Sequence, residues 1–268
     1  MKKYLKAFGK AITMYTIIPG KFHEWNDEDR PLMITTLPFV GVIIGIIWSA
    51  VFLCLQVLVT GGFFPKPLAA AIFALFPFVI TGGIHMDGMM DTTDALKSMR
   101  ELPERRRIQK DSTVGAFAVI SAIMVFIIWF AAGMSLDYEN EKFHTFLFIP
   151  IISRCCSALA VSLLPTMNTS EYSGKFKNGM GKKQIIFIVI IGIIASYAGA
   201  LLCGLYGLSI VALLLGYAYS LYKGYMGMEG MNGDVAGYAL VHAETFAVAM
   251  FTLAQPLYHT LVAIGFLK

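Results

Sequence analysis

The chain has 268 residues, of which 57% are hydrophobic and only 14% charged, with a formal net charge of +4. About a quarter of the residues in a soluble domain are charged, so this composition excludes an ordinary soluble enzyme. The charges are clustered, and the apolar stretches between them are long enough to cross a bilayer, so residues 1–268 read as one all-α polytopic membrane domain with no nucleic-acid partner.

Residues 1–32 form a cytoplasmic amphipathic N-terminal segment. Lys2, Lys3, Lys6 and Lys10 resemble the basic start of a signal peptide, but no small-residue cleavage site precedes the first long apolar run at Met33. Residues 4–18 read better as a helix lying on the membrane surface. Residues 33–266 form the bundle. Seven spans are expected at 33–59, 67–86, 114–134, 143–164, 184–203, 205–222 and 240–266, each near the roughly 20 apolar residues that a crossing needs. Only Gly204 to Gly207 separate the fifth and sixth. Cys54, Cys155, Cys156 and Cys203 all lie in apolar stretches without metal-ligand spacing and read as small buried hydrophobes.

Orientation follows from Lys and Arg. The N-terminal segment, the 97–110 loop (Lys97, Arg100, Arg105, Arg106, Arg107, Lys110), the 175–183 loop and Lys223 carry nearly all of them. Lys66, Lys142 and Lys268 fall on the other side. The N-terminus is therefore expected in the cytoplasm and the C-terminus outside. Asp137, Glu139 and Glu141 read as a solvated outer cap.

The most informative run follows the second span: Thr81-Gly-Gly-Ile-His85-Met-Asp87-Gly-Met-Met-Asp91-Thr-Thr-Asp94. Asp87, Asp91 and Asp94 are spaced i, i+4, i+7, which puts them within about a 60° arc of a helix. Like charges so arranged repel, and no Lys or Arg lies between Lys66 and Lys97 to offset them. A divalent cation, Mg²⁺ or Mn²⁺, would do so. Gly82 and Gly83 loosen the chain before the motif, and Gly88 clears space within it. His85 falls roughly opposite the stripe if the helix is continuous, and is open to an interfacial or structural role or a catalytic one.

Four further groups follow in chain order. Lys110-Asp111-Ser112 opens the third span: Asp111 is either a helix cap or a further metal ligand, and Lys110 can meet a phosphate. Arg154 lies inside the fourth span, where a charge is costly and requires an acid or a substrate phosphate as partner. Lys175 to Lys183, with Gly174, Gly179 and Gly181, fails the phosphate-loop pattern and reads as a basic loop or flexible lid. Glu229-Gly-Met-Asn232-Gly233-Asp234, with Gly237, runs into the last span. A glycine-rich turn at a helix start suits phosphate, Asn232 and Asp234 can ligate a metal, and Glu244 with His242 sits deeper, Arg154 being one partner available to Glu244. The acidic run, the basic loops and this last turn all fall on the cytoplasmic side, which suits an enzyme better than an ion-coupled transporter open to both sides.

The run from Gly82 to Asp94 resembles the signature of the cobalamin-5′-phosphate synthases, membrane enzymes of late vitamin B12 assembly. Lys110-Asp111-Ser112 with Gly115, Asn232-Gly233-Asp234 with Gly237 and Glu244, and Leu37-Pro38-Phe-Val-Gly41 with Gly45 are similar to the family's other blocks, in order. Ala95 stands where many relatives carry Gly. The resemblance implies an Mg²⁺-dependent phosphoryl transfer at the inner membrane. Adenosylcobinamide-GDP gives its cobinamide phosphate to α-ribazole or its 5′-phosphate, and GMP leaves. It further implies metal ligation by Asp87, Asp91, Asp94, Asp111 and Asp234, and catalysis by Asp94 as base with Asp91 and Lys110. Substrate binding would fall to His85, Arg154, Glu229, Asn232, Gly233 and Glu244. Oligomeric state is left open, a homo-oligomer included. The Asp-Gly-x-x-Ala-Arg pattern of the rival CDP-alcohol phosphotransferases is absent, as is the Asp-Asp-x-x-Asp of prenyl transfer.

Overall fold

A computed structural model describes residues 2–20, 29–139, 143–167 and 180–264, and their regular structure is helical apart from one isolated bridge. The expectations for Lys175, Lys177, Gly174, Gly179, Glu141 and Lys142 lie outside the described residues.

Helix α1 (Lys2–Tyr15) is the amphipathic segment. It buries Ala7, Ala11 and Ile12 against α2 (Arg30–Thr60), and its buried Lys10 pairs with Asp29 at 2.6 Å. Helix α3 (Lys66–Ile80) and α4 (Ile84–Lys97) meet at an 87° bend. Gly82 and Gly83 make the bend with φ of 60° and 76°, a backbone region open to glycine at little cost. The expected single span at 67–86 is thus corrected: the helix stops at Ile80, and Ile84 begins a second helix that turns away. The short α5 (Leu102–Ile108) leads to α6 (Ala116–Ser135) and α7 (Thr145–Leu163). Helix α8 (Lys182–Cys203), a single 3₁₀ turn at Gly204–Gly207, α9 (Leu208–Met228) and α10 (Gly233–Ala263) complete the bundle.

By length and composition, five stretches can cross a membrane, or six if the bent α3–α4 pair counts as one. The expected seven differ from this because α8 and α9 fall within one 47-residue stretch, Lys182–Met228. That stretch folds back on itself. Along α7, Cys155 and Phe148 meet Gly192 and Gly199 of α8 in reversed order. Ser157 meets Tyr217 of α9, and Ile210 of α9 lies beside Gly199, so α9 runs parallel to α7 and α8 antiparallel. A straight helix of that length would extend about 70 Å, more than twice the hydrocarbon thickness. The last helix also starts at Gly233, well before the expected 240, because Asn232 caps it: its Oδ1 accepts the Val235 amide at 2.8 Å.

An aromatic cluster fills the bundle away from the acidic run. Trp48 lies 4.9 Å from Phe146 and stacks on Trp129 at 5.6 Å, and Phe52 meets Phe146 edge-on at 4.8 Å. The Trp129 indole N–H donates to Thr245 Oγ1 at 2.9 Å, so this buried ring keeps its polar edge satisfied. The outward faces of α6 and α8 expose rows of Ile, Phe and Leu, including Ile190, Ile193, Ile194 and Leu201. Such faces belong against lipid rather than water.

Candidate active site

Helix α4 crosses the start of α10 in close contact. A Cβ added at Gly88 would lie 2.8 Å from the Asp234 Cα, and one at Gly237 would lie 2.9 Å from the His85 carbonyl. These two glycines let the backbones approach, and so bring Asp234 beside the α4 acids. Asp91 is half-buried and lies within electrostatic reach of Asp87, Asp234 and Asp94. Asp87 is exposed and also acts on Asp234, and Lys110 is near enough to act on Asp234 with the opposite sign. Thus the structure brings together four aspartates from two helices, with a lysine beside them.

The members of this group differ in what holds them. Asp94 is buried, and both its oxygens are occupied: Oδ2 accepts the Gly115 amide at 2.5 Å and Oδ1 the Ala118 amide at 2.9 Å. It caps the start of α6 from another helix. A Cβ at Gly115 would lie 2.6 Å from Asp94 Oδ1, which explains glycine there. Asp234 Oδ2 accepts from Asn232 Nδ2 at 3.0 Å. Asp111, expected among the metal ligands, sits on an exposed loop. Its carboxylate accepts from the amide and hydroxyl of Thr113 and pairs with Arg107 at 3.5 Å. The Thr113 hydroxyl, then its amide, hold Asp111 below the usual carboxylate range.

Gln109 escapes any reading of the sequence. It is 2% exposed, donates to Thr92 Oγ1 at 3.0 Å and accepts from Asn232 Nδ2 at 3.0 Å. A buried chain of hydrogen bonds therefore runs from Thr92 on α4 through Gln109 and Asn232 to Asp234. Arg106, which topology alone explains in the sequence, has a second task. Its Nε and Nη2 donate to the Met228 carbonyl at 3.1 and 2.9 Å, and Nη2 also to that of Glu229 at 2.9 Å. It closes the end of α9, where cations are favoured. Glu229 itself is exposed with φ of 49°. Met231 is tied to the segment after α7 by its amide on the Pro165 carbonyl at 2.9 Å. Gly233 is exposed, and a Cβ there would meet nothing within 4 Å, so the α10 start faces open space.

Arg154 and Glu244 stand apart from the acids. They form a buried ion pair between α7 and α10, and the Ser153 hydroxyl donates to the same Glu244 oxygen at 2.7 Å. This is the pairing expected as one option for the charge inside the fourth span. His85 lies within electrostatic reach of Arg154 and stacks on Tyr15 of α1 at 6.1 Å. The His242 Nδ1 faces the Tyr238 carbonyl at 2.8 Å, within its own helix.

The donor set fits a hard divalent cation. Asp87, Asp91 and Asp234 offer carboxylate oxygens. Among the described residues no three His, Cys, Asp or Glu side chains converge as a cage around one ion. Mg²⁺ is usually held by one or two carboxylates, completed by substrate phosphates and water, and this arrangement suits that mode.

Comparisons with known proteins bear on the chain as a whole. The family model CobS, cobalamin-5-phosphate synthase, matches residues 7–252. An adenosylcobinamide-GDP ribazoletransferase of Clostridium perfringens strain 13 is 35% identical over 245 residues, covering 91% of this chain and 96% of that protein. A protein of the same description from Clostridium botulinum strain Alaska E43 is 34% identical over 258 residues, covering 94% and 100%. One from Brevibacillus brevis is 32% identical over 253 residues, covering 93% and 98%. No solved structure matches the chain.

Proposed function

This chain belongs to the CobS, cobalamin-5-phosphate synthase, family, and from that premise we propose how its own residues carry out the chemistry. It is a transferase of cobalamin biosynthesis with adenosylcobinamide-GDP ribazoletransferase activity. The reaction moves the cobinamide phosphate of adenosylcobinamide-GDP onto a hydroxyl of α-ribazole, or of its 5′-phosphate, and expels GMP.

Phosphoryl transfer of this kind needs positioning and neutralisation of negative charge more than covalent help. Asp87 and Asp234 would hold Mg²⁺ or Mn²⁺ between α4 and α10. The cation supplies Lewis-acid neutralisation of the pyrophosphate oxygens. Lys110 takes further phosphate charge beside Asp234. The open N-terminus of α10 at Gly233, where peptide N–H groups point outward, receives phosphate oxygens. With either acceptor, Asp91 accepts the proton of the attacking hydroxyl. Asp94, the base expected from the sequence, is less suited: both its carboxylate oxygens are already occupied by backbone amides of α6 and its approach. We assign Asp94 the role of holding the start of α6, and with it the Lys110 loop, against α4.

The Arg154–Glu244 pair is assigned to the bundle rather than to substrate, because each already neutralises the other. The site opens to the cytoplasm in this reading. Two observations support that orientation: the positive-inside distribution of Lys and Arg, and the position of the acids at the same bundle end as α5 and its arginines.

The single observation that carries the reading is that Asp87, Asp91 and Asp234 lie within electrostatic reach of one another, with Lys110 beside Asp234, where α4 crosses α10. The test is purified protein in a bilayer with adenosylcobinamide-GDP, α-ribazole and Mg²⁺. GMP should appear in step with the corrinoid product, stop on chelation and resume when Mg²⁺ or Mn²⁺ is restored. GMP release that ignores chelation would sink the metal assignment.

A further inference from the structure

A groove of about 430 Å³ lies on the flank of the bundle, between α1, α2 and α8 and away from the acids. Its floor is aromatic. Phe39 and Phe187 face each other with centroids 6.1 Å apart, Phe8 meets Phe39 edge-on, and Tyr4 of α1 closes one side. Lys183 and Gln184, in the first turn of α8, stand at its rim. The polar groups are arranged with one bias. The Gln184 Oε1 is taken by the Gly181 amide at 2.6 Å, which leaves its NH₂ as the group able to donate. Thr35 and Thr36 spend their hydroxyl protons on the Pro31 and Met33 carbonyls, at 2.8 and 2.9 Å. The groove thus presents a cation and an amide donor above an apolar bed.

Its surroundings share that sign. Lys2, Lys3 and Lys6 on α1 and Lys182 beside the rim are exposed. The first turns of α2 and α8 lie at the same end of the bundle, since both helices run antiparallel to α7. The groove therefore runs from the level of a basic collar down onto aromatic rings, the order of an interface passing into hydrocarbon. Its volume is that of a typical small-ligand site.

We propose that this groove binds one anionic phospholipid, with the headgroup phosphate on Lys183 and Gln184 and an acyl chain along Phe39 and Phe187. Charge complementarity selects an anionic over a zwitterionic headgroup, and the aromatic floor selects a lipid over free phosphate. The bound lipid fills the gap between α1 and α8, and so fixes α1 along α2. The other end of α1 carries Tyr15, stacked on His85 at the head of α4.

The test uses the full-length protein in mild detergent, equilibrated with phosphatidylglycerol or with phosphatidylcholine of the same acyl chains, with retained lipid counted by native mass spectrometry. Phosphatidylglycerol should be retained well above phosphatidylcholine. Lys183→Gln should lower that retention about fivefold, the scale of one lysine at an anionic surface, and Phe187→Ala should lower it for either headgroup. Lys3→Gln, which removes a nearby charge outside the groove, should have a smaller effect. Equal retention of the two lipids overturns the proposal. Equal effects of Lys183→Gln and Lys3→Gln would mean diffuse surface attraction and overturn it too. Displacement of the lipid by inorganic phosphate would assign the site to the free ion instead.

Discussion

Two groups of charges in this bundle live under opposite conditions. In its interior Arg154 and Glu244 are almost fully buried, and each answers the other, with Ser153 completing the contact. At the α4–α10 crossing, Asp91 faces Asp87, Asp234 and Asp94, all of the same sign. Burial without compensation is costly. The interior pair meets the cost of its charges internally, although the Arg154 Nε is left without a hydrogen-bond partner. The acids of the crossing have Lys110 and Asn232 beside Asp234 and two amides on Asp94, yet Asp87, Asp91 and Asp234 still repel one another, so an arriving cation stabilises them further. The contrast locates ligand binding at the crossing, and substitutions on each side test it.

The largest effect should come from breaking the interior pair. Glu244→Gln leaves the Arg154 guanidinium charged and uncompensated, and should cost about 3–5 kcal/mol of stability. Changing both residues together to Met should restore most of that loss in thermal unfolding of the detergent-solubilised protein. If Glu244→Gln instead leaves stability untouched and removes GMP release, the pair serves substrate and the contrast fails.

The acids should behave in reverse. Asp91→Asn or Asp234→Asn removes repulsion from the crossing, so stability should hold or rise. Turnover should fall by about 10²–10³-fold, the scale of losing one preorganised charge contact in a transition state. For Asp234→Asn part of that loss should be recovered at raised Mg²⁺, because that carboxylate is assigned to the metal. For Asp91→Asn it should not. A loss of stability in either variant would mean that the carboxylate serves the fold.

Asp94 tests the boundary between the two groups. It lies on the acidic stripe but is bonded like a structural residue. Asp94→Ala should cost about 1–2 kcal/mol, as expected for a lost helix cap, and Asp94→Asn, which keeps one acceptor oxygen, should cost less. Turnover of the Asn variant should fall far less than that of Asp91→Asn. Were Asp94→Asn inactive but fully stable, the proton acceptor would be Asp94 after all.

These residues also mark how far the sequence could be read. The stripe of Asp87, Asp91 and Asp94 was visible because helical periodicity is a local property, and the spans were visible because length and hydropathy are local too. The bend after Ile80 left a trace in Gly82-Gly83, although its 87° angle did not. The start of α10 was placed too late because Asp234 and its polar neighbours lower the hydropathy of a first turn that Asn232 nevertheless caps. Apart from the Arg154–Glu244 pair, what stayed hidden were the contacts made across long separations. Asp94 reaches amides 21 and 24 residues on, and Arg106 reaches carbonyls 122 and 123 residues on. Nothing in a basic loop distinguishes an arginine that sets topology from one that closes another helix.

Gln109 is the hardest case and gives the smallest, most discriminating prediction. A lone glutamine carries no motif, yet it is buried between Thr92 and Asn232, and Asn232 in turn donates to Asp234. As a positioning residue it should act on how Asp234 is aimed rather than on whether the protein folds. Gln109→Ala should therefore raise the Mg²⁺ concentration needed for half-maximal GMP release by about 10-fold, the lower scale for losing a partner of a metal ligand. The maximal rate at saturating Mg²⁺ should change less. Gln109→Glu supplies an acceptor for Asn232 but no amide donor for Thr92, and places a further negative charge near the acids. It should tighten the demand for cation at low Mg²⁺ and weaken the fold when Mg²⁺ is removed. An Ala variant that loses stability while its Mg²⁺ dependence stays unchanged would reduce Gln109 to packing, and would leave Asp234 oriented by Asn232 alone.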